Sequence, residues 1–193
     1  MLNLRSMRER EREMDFETRL ARLEAEADIR DLVSRYSFDI DDREIDRIAL
    51  LFTEDAAVRS ADGMMNAIGR AQIISMYKAR FDVLGPGAHY THDLVLDLSD
   101  LADGEASGRV SGHAELARNG AMMVCALRYE DRYRRTADGW KIQLREISFL
   151  YYVPVDQYPG ILLEHDRNRA YAEPKPADFP EGRPTWEVWL AGV

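Results

Sequence analysis

The spacing of apolar residues changes at the stretch Gly85-Pro86-Gly87-Ala88-His89-Tyr90-Thr91-His92. Before it, apolar residues recur at helical intervals, and after it they come in extended runs between short polar turns. Three of the turns are Asp103-Gly104, Asn119-Gly120 and Asp138-Gly139, which accept the positive φ of tight hairpins. The runs predict an antiparallel meander of four strands, over 89–98, 105–117, 121–135 and 140–152. Helices followed by such a meander favour an α+β fold.

Upstream of this stretch the sequence predicts helices. One apolar stripe, formed by Ile29, Leu32, Val33, Tyr36 and Ile40, indicates a helix over 25–40. A second, short helix is predicted over 42–52, a strand around 57–60, and a third helix from Gly69 to Phe81.

Length and charge restrict the class of protein. The chain has 193 residues, which suggests a single domain, and a net charge of -9, which disfavours nucleic acid and anionic membranes as partners. No apolar run approaches the roughly 20 residues needed to span a bilayer. Residues 1–17 have no apolar core of a secretory signal, and Cys125 is the only cysteine. These features predict a cytoplasmic protein.

Three regions are predicted along the chain. Residues 1–18 form a charged N-terminal extension, 19–153 the α+β domain, and 154–193 a proline-rich tail. The tail is expected to pack on the domain or on a neighbouring subunit, anchored by Trp186 and Trp189. The apolar sheet face and the aromatic tail together predict a homo-oligomer, a trimer or a dimer.

Asp41 and His89 are the main candidates for chemistry. Asp41 ends the predicted first helix, and His89 opens the first strand of the meander. A carboxylate beside an imidazole fixes the tautomer of the ring and makes it a better base, so the pair could remove a proton from carbon or oxygen. The plainer alternatives are a solvated acid at a helix end and a histidine at a strand start.

Several motifs resemble those of the SnoaL-like branch of the nuclear-transport-factor-2-like superfamily, which includes scytalone dehydratase, bile-acid 7α-dehydratase and lindane dehydrochlorinase. The resemblance covers about residues 25–152. The motifs are Ile29-Arg30-Asp31-Leu32, Asp41-Asp42-Arg43-Glu44-Ile45-Asp46-Arg47-Ile48, Leu51-Phe52-Thr53-Glu54-Asp55-Ala56, His89-Tyr90, Tyr129-Glu130-Asp131-Arg132-Tyr133-Arg134-Arg135 and Asp138-Gly139-Trp140-Lys141-Ile142.

The resemblance implies a cone-shaped barrel, made of a curved, mostly antiparallel sheet wrapped around the N-terminal helices. It also implies roles for four residues. Asp41 matches the catalytic aspartate, His89 the general base, and Arg145 an arginine that steadies a leaving group or an oxyanion. Tyr36 matches a position that often lines the pocket. No cofactor and no metal are implied.

Strand alternation predicts a mostly apolar pocket wall, because residues two apart share one face of a sheet. The predicted substrate-binding residues are Val58, Leu84, Val110, Gly112, Ala114, Cys125, Leu127, Tyr129, Ile147 and Phe149. His89 and His92 fall on opposite faces, which argues against a metal site made of His89, His92 and Asp93. Cys125 is interpreted as a small buried residue rather than a nucleophile.

The leading hypothesis is a cofactor-independent lyase, dehydratase or isomerase that acts on a small apolar cyclic or aromatic substrate. Related enzymes also release formaldehyde from lignin-derived diaryl diols, a retro-aldol step that needs the same base. Two alternatives stay open. One is a non-catalytic small subunit of an aromatic-ring-hydroxylating dioxygenase, and the other is a protein that binds a ligand without converting it.

Overall fold

The computed structural model describes residues 14–192. Within these residues, four α-helices and six strands follow one another in the order helix, helix, two strands, helix, four strands, helix. The helices are α1 Phe16–Asp41, α2 Ile45–Leu50, α3 Arg70–Phe81 and α4 Pro184–Leu190. The strands are β1 Phe52–Ser60, β2 Asn66–Ile68, β3 Leu84–Asp97, β4 Glu105–Arg118, β5 Ala121–Thr136 and β6 Gly139–Pro154.

The six strands form one sheet in the order β2-β1-β6-β5-β4-β3. All neighbours are antiparallel except β1 and β6, which run parallel. Helix α1 packs against both β3 and β6, although two strands separate them, so the sheet curves around the helix. The predicted α+β fold with a curved, mostly antiparallel sheet is confirmed. The sheet is not closed into a barrel, since β2 and β3 are its edges.

Helix α1 begins earlier than its apolar stripe predicts. The side chain of Asp15 accepts a hydrogen bond from the backbone N–H of Thr18 at 2.8 Å, and this cap starts the helix at Phe16 rather than at residue 25. Its first two turns are largely exposed, and its buried apolar face runs from Ala25 to Ile40, as the stripe predicts. Residues 1–13 of the predicted extension lie outside the described residues.

The segment after α1 differs from the prediction. Helix α2 has only six residues, and β1 begins at Phe52, where the sequence predicts the end of a helix. Phe52 is fully buried, and it pairs with Ile142 of β6. A pairing partner 90 positions away overrides the local helical pattern. Strand β2, which pairs with β1, has no counterpart in the prediction.

The Gly85-Pro86-Gly87 stretch lies inside β3, not before it. The strand pairs with β4 from Leu84 onward, and a proline is tolerated there because β3 is an edge strand. A Cβ atom on Gly87 would lie 2.6 Å from the Cβ of Leu116, so this glycine allows the two strands to approach. The three remaining strands of the meander match the prediction within two residues at each end.

The tail after β6 is tied to the edge of that strand. The backbone N–H of Tyr152 donates to the carbonyl oxygen of Arg167, and the N–H of Arg169 returns a bond to Tyr152. The buried guanidinium of Arg167 donates to the carbonyl oxygens of Leu150 and Glu164 and to both carboxylate oxygens of Glu181.

The two tryptophans of the tail are exposed on this chain. The side chain of Trp189 is 79% exposed, Trp186 is 38% exposed, and α4 buries no residue. Their predicted role as anchors, on this subunit or on a neighbour, remains a prediction. The limits of the three regions remain a prediction.

None of the described helices combines the length and the apolar character needed to cross a bilayer.

We expect Gly87→Ala to destabilise the fold, because the new methyl group would overlap Leu116 at the β3–β4 contact. Overpacking of this kind reduces the free energy of unfolding by about 1–3 kcal/mol, which urea unfolding measures. Gly182→Ala is the matched control, since its nearest neighbour would be the Asp178 carbonyl oxygen at 3.6 Å. Equal stability of the two variants would contradict the close approach at Gly87.

Candidate active site

Asp41 and His89 lie side by side. The Nδ1 atom of His89 is 2.6 Å from Oδ1 of Asp41, and the backbone N–H of His89 donates to Oδ2 of the same carboxylate at 2.8 Å. Both side chains are about one-fifth exposed. The contact favours the tautomer with the proton on Nδ1, which leaves Nε2 free to accept a proton. Among the described residues Nε2 has no hydrogen-bond partner.

The end of α1 places the carboxylate. Asp41 is the last residue of the helix, where the helix dipole disfavours a negative charge by about 0.3–1 kcal/mol. The two hydrogen bonds from His89 offset this cost. Arg43 then adopts a left-handed φ of 57°, and its guanidinium donates to the carbonyl oxygen of Leu84 at 2.6 Å. The helix end and the start of β3 are thus joined twice.

The pairing of β3 with β4 positions His89. The register shifts between Leu84 and Gly87 and again between Thr91 and Leu94, so His89 lies on a short regular segment between two irregularities. Irregular pairing bends a strand and changes the direction of its side chains. His89 pairs with Ala114, whose small side chain is fully buried.

His89 borders a cavity between the helices and the concave sheet. The unfilled space is about 570 Å³, counting its opening to solvent. Most of the lining is apolar or aromatic, with a few polar groups, as is usual for a small-molecule site. The lining residues are Tyr36, Ile40, Met65, Met76, Tyr77, Arg80, Phe81, Leu84, His89, Leu116, Cys125, Leu127, Tyr129, Ile147, Phe149 and Tyr152.

Two phenol groups meet in the cavity wall. The hydroxyls of Tyr36 and Tyr77 are 2.7 Å apart, and either can be the donor. Burial and the neighbouring Tyr36 raise the pKa of Tyr77 well above its ordinary value, so this hydroxyl stays protonated and can donate at neutral pH. One proton of the pair is left free to bind an oxygen or halogen of a ligand.

Arg145 lies behind this wall, not in it. Its guanidinium is fully buried, donates to both oxygens of Asp131 at 2.9 and 2.6 Å, and lies between the rings of Tyr36 and Tyr129, 4.0 and 4.1 Å from their centroids. Burial opposes the charge, but the carboxylate of Asp131 keeps the pKa of Arg145 above its ordinary value. The rings of Tyr36 and Tyr129 separate Arg145 from the cavity, and Arg145 is not a lining residue. The structure therefore does not place Arg145 in the direct contact with a leaving group that the resemblance implies.

Six of the ten predicted substrate-binding residues border the cavity: Leu84, Cys125, Leu127, Tyr129, Ile147 and Phe149. Four others do not border the cavity. Val58, Val110, Gly112 and Ala114 face the same interior, but neighbouring side chains cover them. At Gly112, for example, a Cβ would lie 2.9 Å from a methyl carbon of Leu127. Alternation identifies the inner face of a strand but not how much of that face the core fills.

The other candidates take structural positions. His92 and His113 stack on the outer face of the sheet, with ring centroids 6.5 Å apart. Burial raises the pKa of the Cys125 thiol to about 12, so it is not a thiolate at neutral pH. Within residues 14–192, no group of three or more His, Cys, Asp or Glu side chains is arranged to hold a metal ion.

Three polar lining residues escape the sequence analysis: Tyr77, Arg80 and Tyr152. On α3 the available signal is helical spacing, since Tyr77 and Phe81 are four positions apart and Arg80 falls on the adjoining row. Tyr152 lies in an apolar run of β6, and this pattern predicts an ordinary core residue there. Local spacing gives each residue a face but does not tell a core contact from a cavity wall.

Together, these residues form an α+β domain that holds an Asp–His pair, a phenol pair and a mostly apolar cavity between helix and sheet. The sequence model of the SnoaL-like domain matches residues 21–146, well over half of the chain. The chain belongs to this family. No protein of curated function matches it.

Solved structures share the fold. A protein provisionally named scytalone dehydratase, from Novosphingobium aromaticivorans, has a TM-score of 0.66 and 19% identity over 84% of this chain and 97% of its own. The hexachlorocyclohexane dehydrochlorinase LinA-type3 from Novosphingobium barchaimii has a TM-score of 0.64 and 21% identity, over 72% and 94%. A provisionally named aromatic ring hydroxylase from Novosphingobium aromaticivorans has a TM-score of 0.63 and 26% identity, over 69% and 94%.

We expect Asp131→Asn to destabilise the protein strongly, because it leaves the guanidinium of Arg145 buried without a counter-charge. Removing one partner of a buried ion pair costs about 3–5 kcal/mol of unfolding free energy, measured by urea unfolding. The control is Glu146→Gln, which breaks the half-exposed pair with Arg59 on the same sheet and should cost less than about 1 kcal/mol. Similar losses in both variants would contradict this view of the Arg145–Asp131 pair.

Proposed function

We propose that the protein is a cofactor-independent lyase of the dehydratase or elimination type, or an isomerase, acting on a small apolar cyclic or aromatic compound. The observation that carries the proposal is the Asp41–His89 pair, in which Nδ1 of the ring is 2.6 Å from the carboxylate and the ring borders an apolar cavity. Membership of the SnoaL-like family and the names of two structural neighbours, a dehydratase and a dehydrochlorinase, support it.

In the proposed reaction His89 is the general base. Its Nε2 takes a proton from a carbon or a hydroxyl of the substrate, and Asp41 stabilises the imidazolium that forms. The electron pair of the broken bond forms a C=C or C=O bond, and the bond to the leaving group breaks with its own electron pair. The proton then passes from His89 to the leaving group or to water. A positioned general base contributes about 10²–10⁴-fold to such a rate.

The phenol pair receives the developing negative charge. The free hydroxyl proton of Tyr36 or Tyr77 donates to a departing hydroxide, a halide or an oxyanion. Arg145 is a positioning residue in this scheme, because its charge lies 4.0 Å from the centroid of the Tyr36 ring and acts through it. A substrate that fills this mostly apolar cavity displaces water from it, which strengthens each of these contacts.

The same base serves several bond cleavages. Loss of hydroxide and loss of halide begin with transfer of a C–H proton to His89. Retro-aldol-type loss of formaldehyde from a lignin-derived diaryl diol begins with transfer of the CH₂–OH proton: the C=O bond of formaldehyde forms as the C–C bond breaks, and the electron pair of that bond forms a C=C bond as the neighbouring hydroxide leaves. The three reactions differ in the atom that carries the proton and in the leaving group. The three reactions can be distinguished by their products when the protein is assayed with a panel of cyclic alcohols, halogenated rings, steroids and diaryl diols.

We expect His89→Ala to abolish turnover of any panel compound that the unmodified protein converts, because Nε2 is the proton acceptor. Asp41→Asn should lower kcat by about 10²–10⁴-fold, with little change in KM, because an amide no longer holds the ring in the required tautomer. Steady-state kinetics measure both effects, and circular dichroism checks that the variants are folded.

The matched controls are His92→Ala and Asp42→Asn, which change exposed residues next to the pair in sequence. Both should keep the activity of the unmodified protein. Full activity in His89→Ala defeats the proposal. If Asp41→Asn loses thermal stability but keeps its rate, Asp41 is a structural residue and not part of the catalytic machinery.

A second candidate is a non-catalytic small subunit of an aromatic-ring-hydroxylating dioxygenase. The 26% identity with a protein provisionally named aromatic ring hydroxylase favours it. Such a subunit needs no dyad, so the purified chain would convert nothing, and His89→Ala would not affect its assembly with an iron-bearing large subunit. A chain that binds panel compounds but converts none would instead be a binding protein.

We also propose that the chain forms a homo-oligomer, a trimer or a dimer. Support comes from apolar side chains that this copy leaves exposed, above all Val95 on the edge strand and Trp189 and Leu190 on α4. Light scattering after size exclusion should give two or three times 22.2 kDa. Trp189→Ser should shift the protein towards the monomer, whereas a monomeric mass for the unmodified chain would contradict the proposal.

A further inference from the structure

One ladder of paired residues crosses the sheet beneath the cavity. His89 of β3 pairs with Ala114 of β4, Ala114 with Cys125 of β5, and Cys125 with Tyr152 of β6. The residues in the middle have small side chains, and those at the ends carry polar groups. Three strand spacings separate the ends, about 14 Å on a flat sheet and less on a curved one. The cavity therefore has a second polar end, opposite the base.

A guanidinium lies at this second end. Arg80 borders the cavity, and its Nη1 donates at 3.0 Å to the sulfur of Met65, which is a weak acceptor. Within residues 14–192, no carboxylate lies within ion-pair distance of it. A half-buried cation beside an apolar cavity without a counter-ion is costly unless a ligand supplies the negative charge.

Arg118 and Tyr152 add two unused donors. The guanidinium of Arg118 lies 5.8 Å from the ring centroid of Tyr152 and 5.5 Å from that of Tyr171. Its buried Nε has no hydrogen-bond partner in the described part of the chain, nor does the buried hydroxyl of Tyr152, which borders the cavity. Arg80 and Tyr152 border the same cavity, and burial raises the pKa of the Tyr152 phenol while the charges of Arg118 and Arg80 oppose the shift.

Two acidic side chains close to the Arg118 and Tyr171 cluster, Asp62 and Asp178, have other partners. Asp62 accepts bonds from the hydroxyl of Ser60 and the backbone N–H of Met64, and it faces Lys175 at 3.9 Å. Asp178 accepts a bond from the backbone N–H of Phe149. Stacking of Arg118 between two tyrosine rings explains part of the cluster as a device that holds the tail. It does not explain Arg80 or the unpaired Tyr152 hydroxyl.

We propose that the substrate is a carboxylic acid, a planar aromatic or alicyclic carboxylate, whose anionic group binds at Arg80 and the hydroxyl of Tyr152, with Arg118 behind them. This inference rests on the proposed function, because it takes the cavity beside His89 as the substrate site. Held by its carboxylate at one end, the substrate presents its reacting carbon or hydroxyl to His89 at the other. Charge-assisted hydrogen bonds from a guanidinium are strong enough to fix such an orientation.

The test compares 2-naphthoate with 2-naphthamide, which have nearly the same shape but differ in charge. Isothermal titration calorimetry with the full chain at low ionic strength should show at least about tenfold tighter binding of the carboxylate. Arg80→Gln should reduce this preference to about twofold or less, mainly by weakening the carboxylate complex. Tyr152→Phe, which removes only the unpaired hydroxyl, should weaken carboxylate binding several-fold. It is the alternative test variant if Arg80→Gln does not fold.

The matched control is Arg132→Gln, which removes an exposed arginine of the same sheet and should leave both affinities unchanged. A purely structural Arg80 would lower the melting temperature without changing the ratio of the two affinities. The inference is overturned if the amide binds as tightly as the acid, if neither probe binds, or if Arg80→Gln keeps the preference. Because binding needs no base, His89→Ala should keep the preference, so failure here is distinct from failure of the proposed reaction.

Discussion

The carboxylate of Asp41 joins the end of a helix to the edge of a sheet, and the cavity depends on this contact. One oxygen accepts from the backbone of His89 and the other faces its ring, so the same group holds the strand and the imidazole. Arg43 adds a second connection to the start of β3. An acid at the C-terminal end of a helix is electrostatically unfavourable. The two hydrogen bonds that Asp41 accepts from His89 explain its position, because they add to the strand pairing that places the imidazole beside the cavity.

The interior carries charge in an unusual way. Arg145 and Asp131 are both fully buried, and two tyrosine rings enclose the guanidinium. Taking a charge from water into the core is costly unless hydrogen bonds and a counter-charge compensate it. Here two hydrogen bonds to the carboxylate of Asp131 offset much of this cost, although Nη1 of Arg145 has no hydrogen-bond partner among the described residues. The guanidinium lies directly behind the cavity wall, 4.0 Å from the centroid of the Tyr36 ring.

The sequence predicts much of this arrangement. The stripe from Ile29 to Ile40 identifies the buried face of α1, and the glycine-containing turns identify the hairpins of the meander. What it misses depends on contacts between distant segments. Phe52 belongs to a strand because β6 pairs with it, and Gly112 is closed off because Leu127 fills the space above it. In the sequence, Tyr77 and Arg80 have the spacing of an ordinary helix face. They border a cavity only because the curved sheet lies opposite this helix.

Sequence alone determined the order of helices and strands and the faces that turn inward, because periodicity and turn chemistry are local properties of the chain. It also singled out Asp41 and His89 as candidates. Only the tertiary structure decided that these two touch and that Arg145 stands behind the cavity wall. It likewise decided that Arg80 borders the same cavity with no carboxylate among the described residues within ion-pair distance. The physical reason is that distance, burial and charge pairing between residues far apart in the chain follow from how the sheet curves around α1, and no local pattern encodes that curvature.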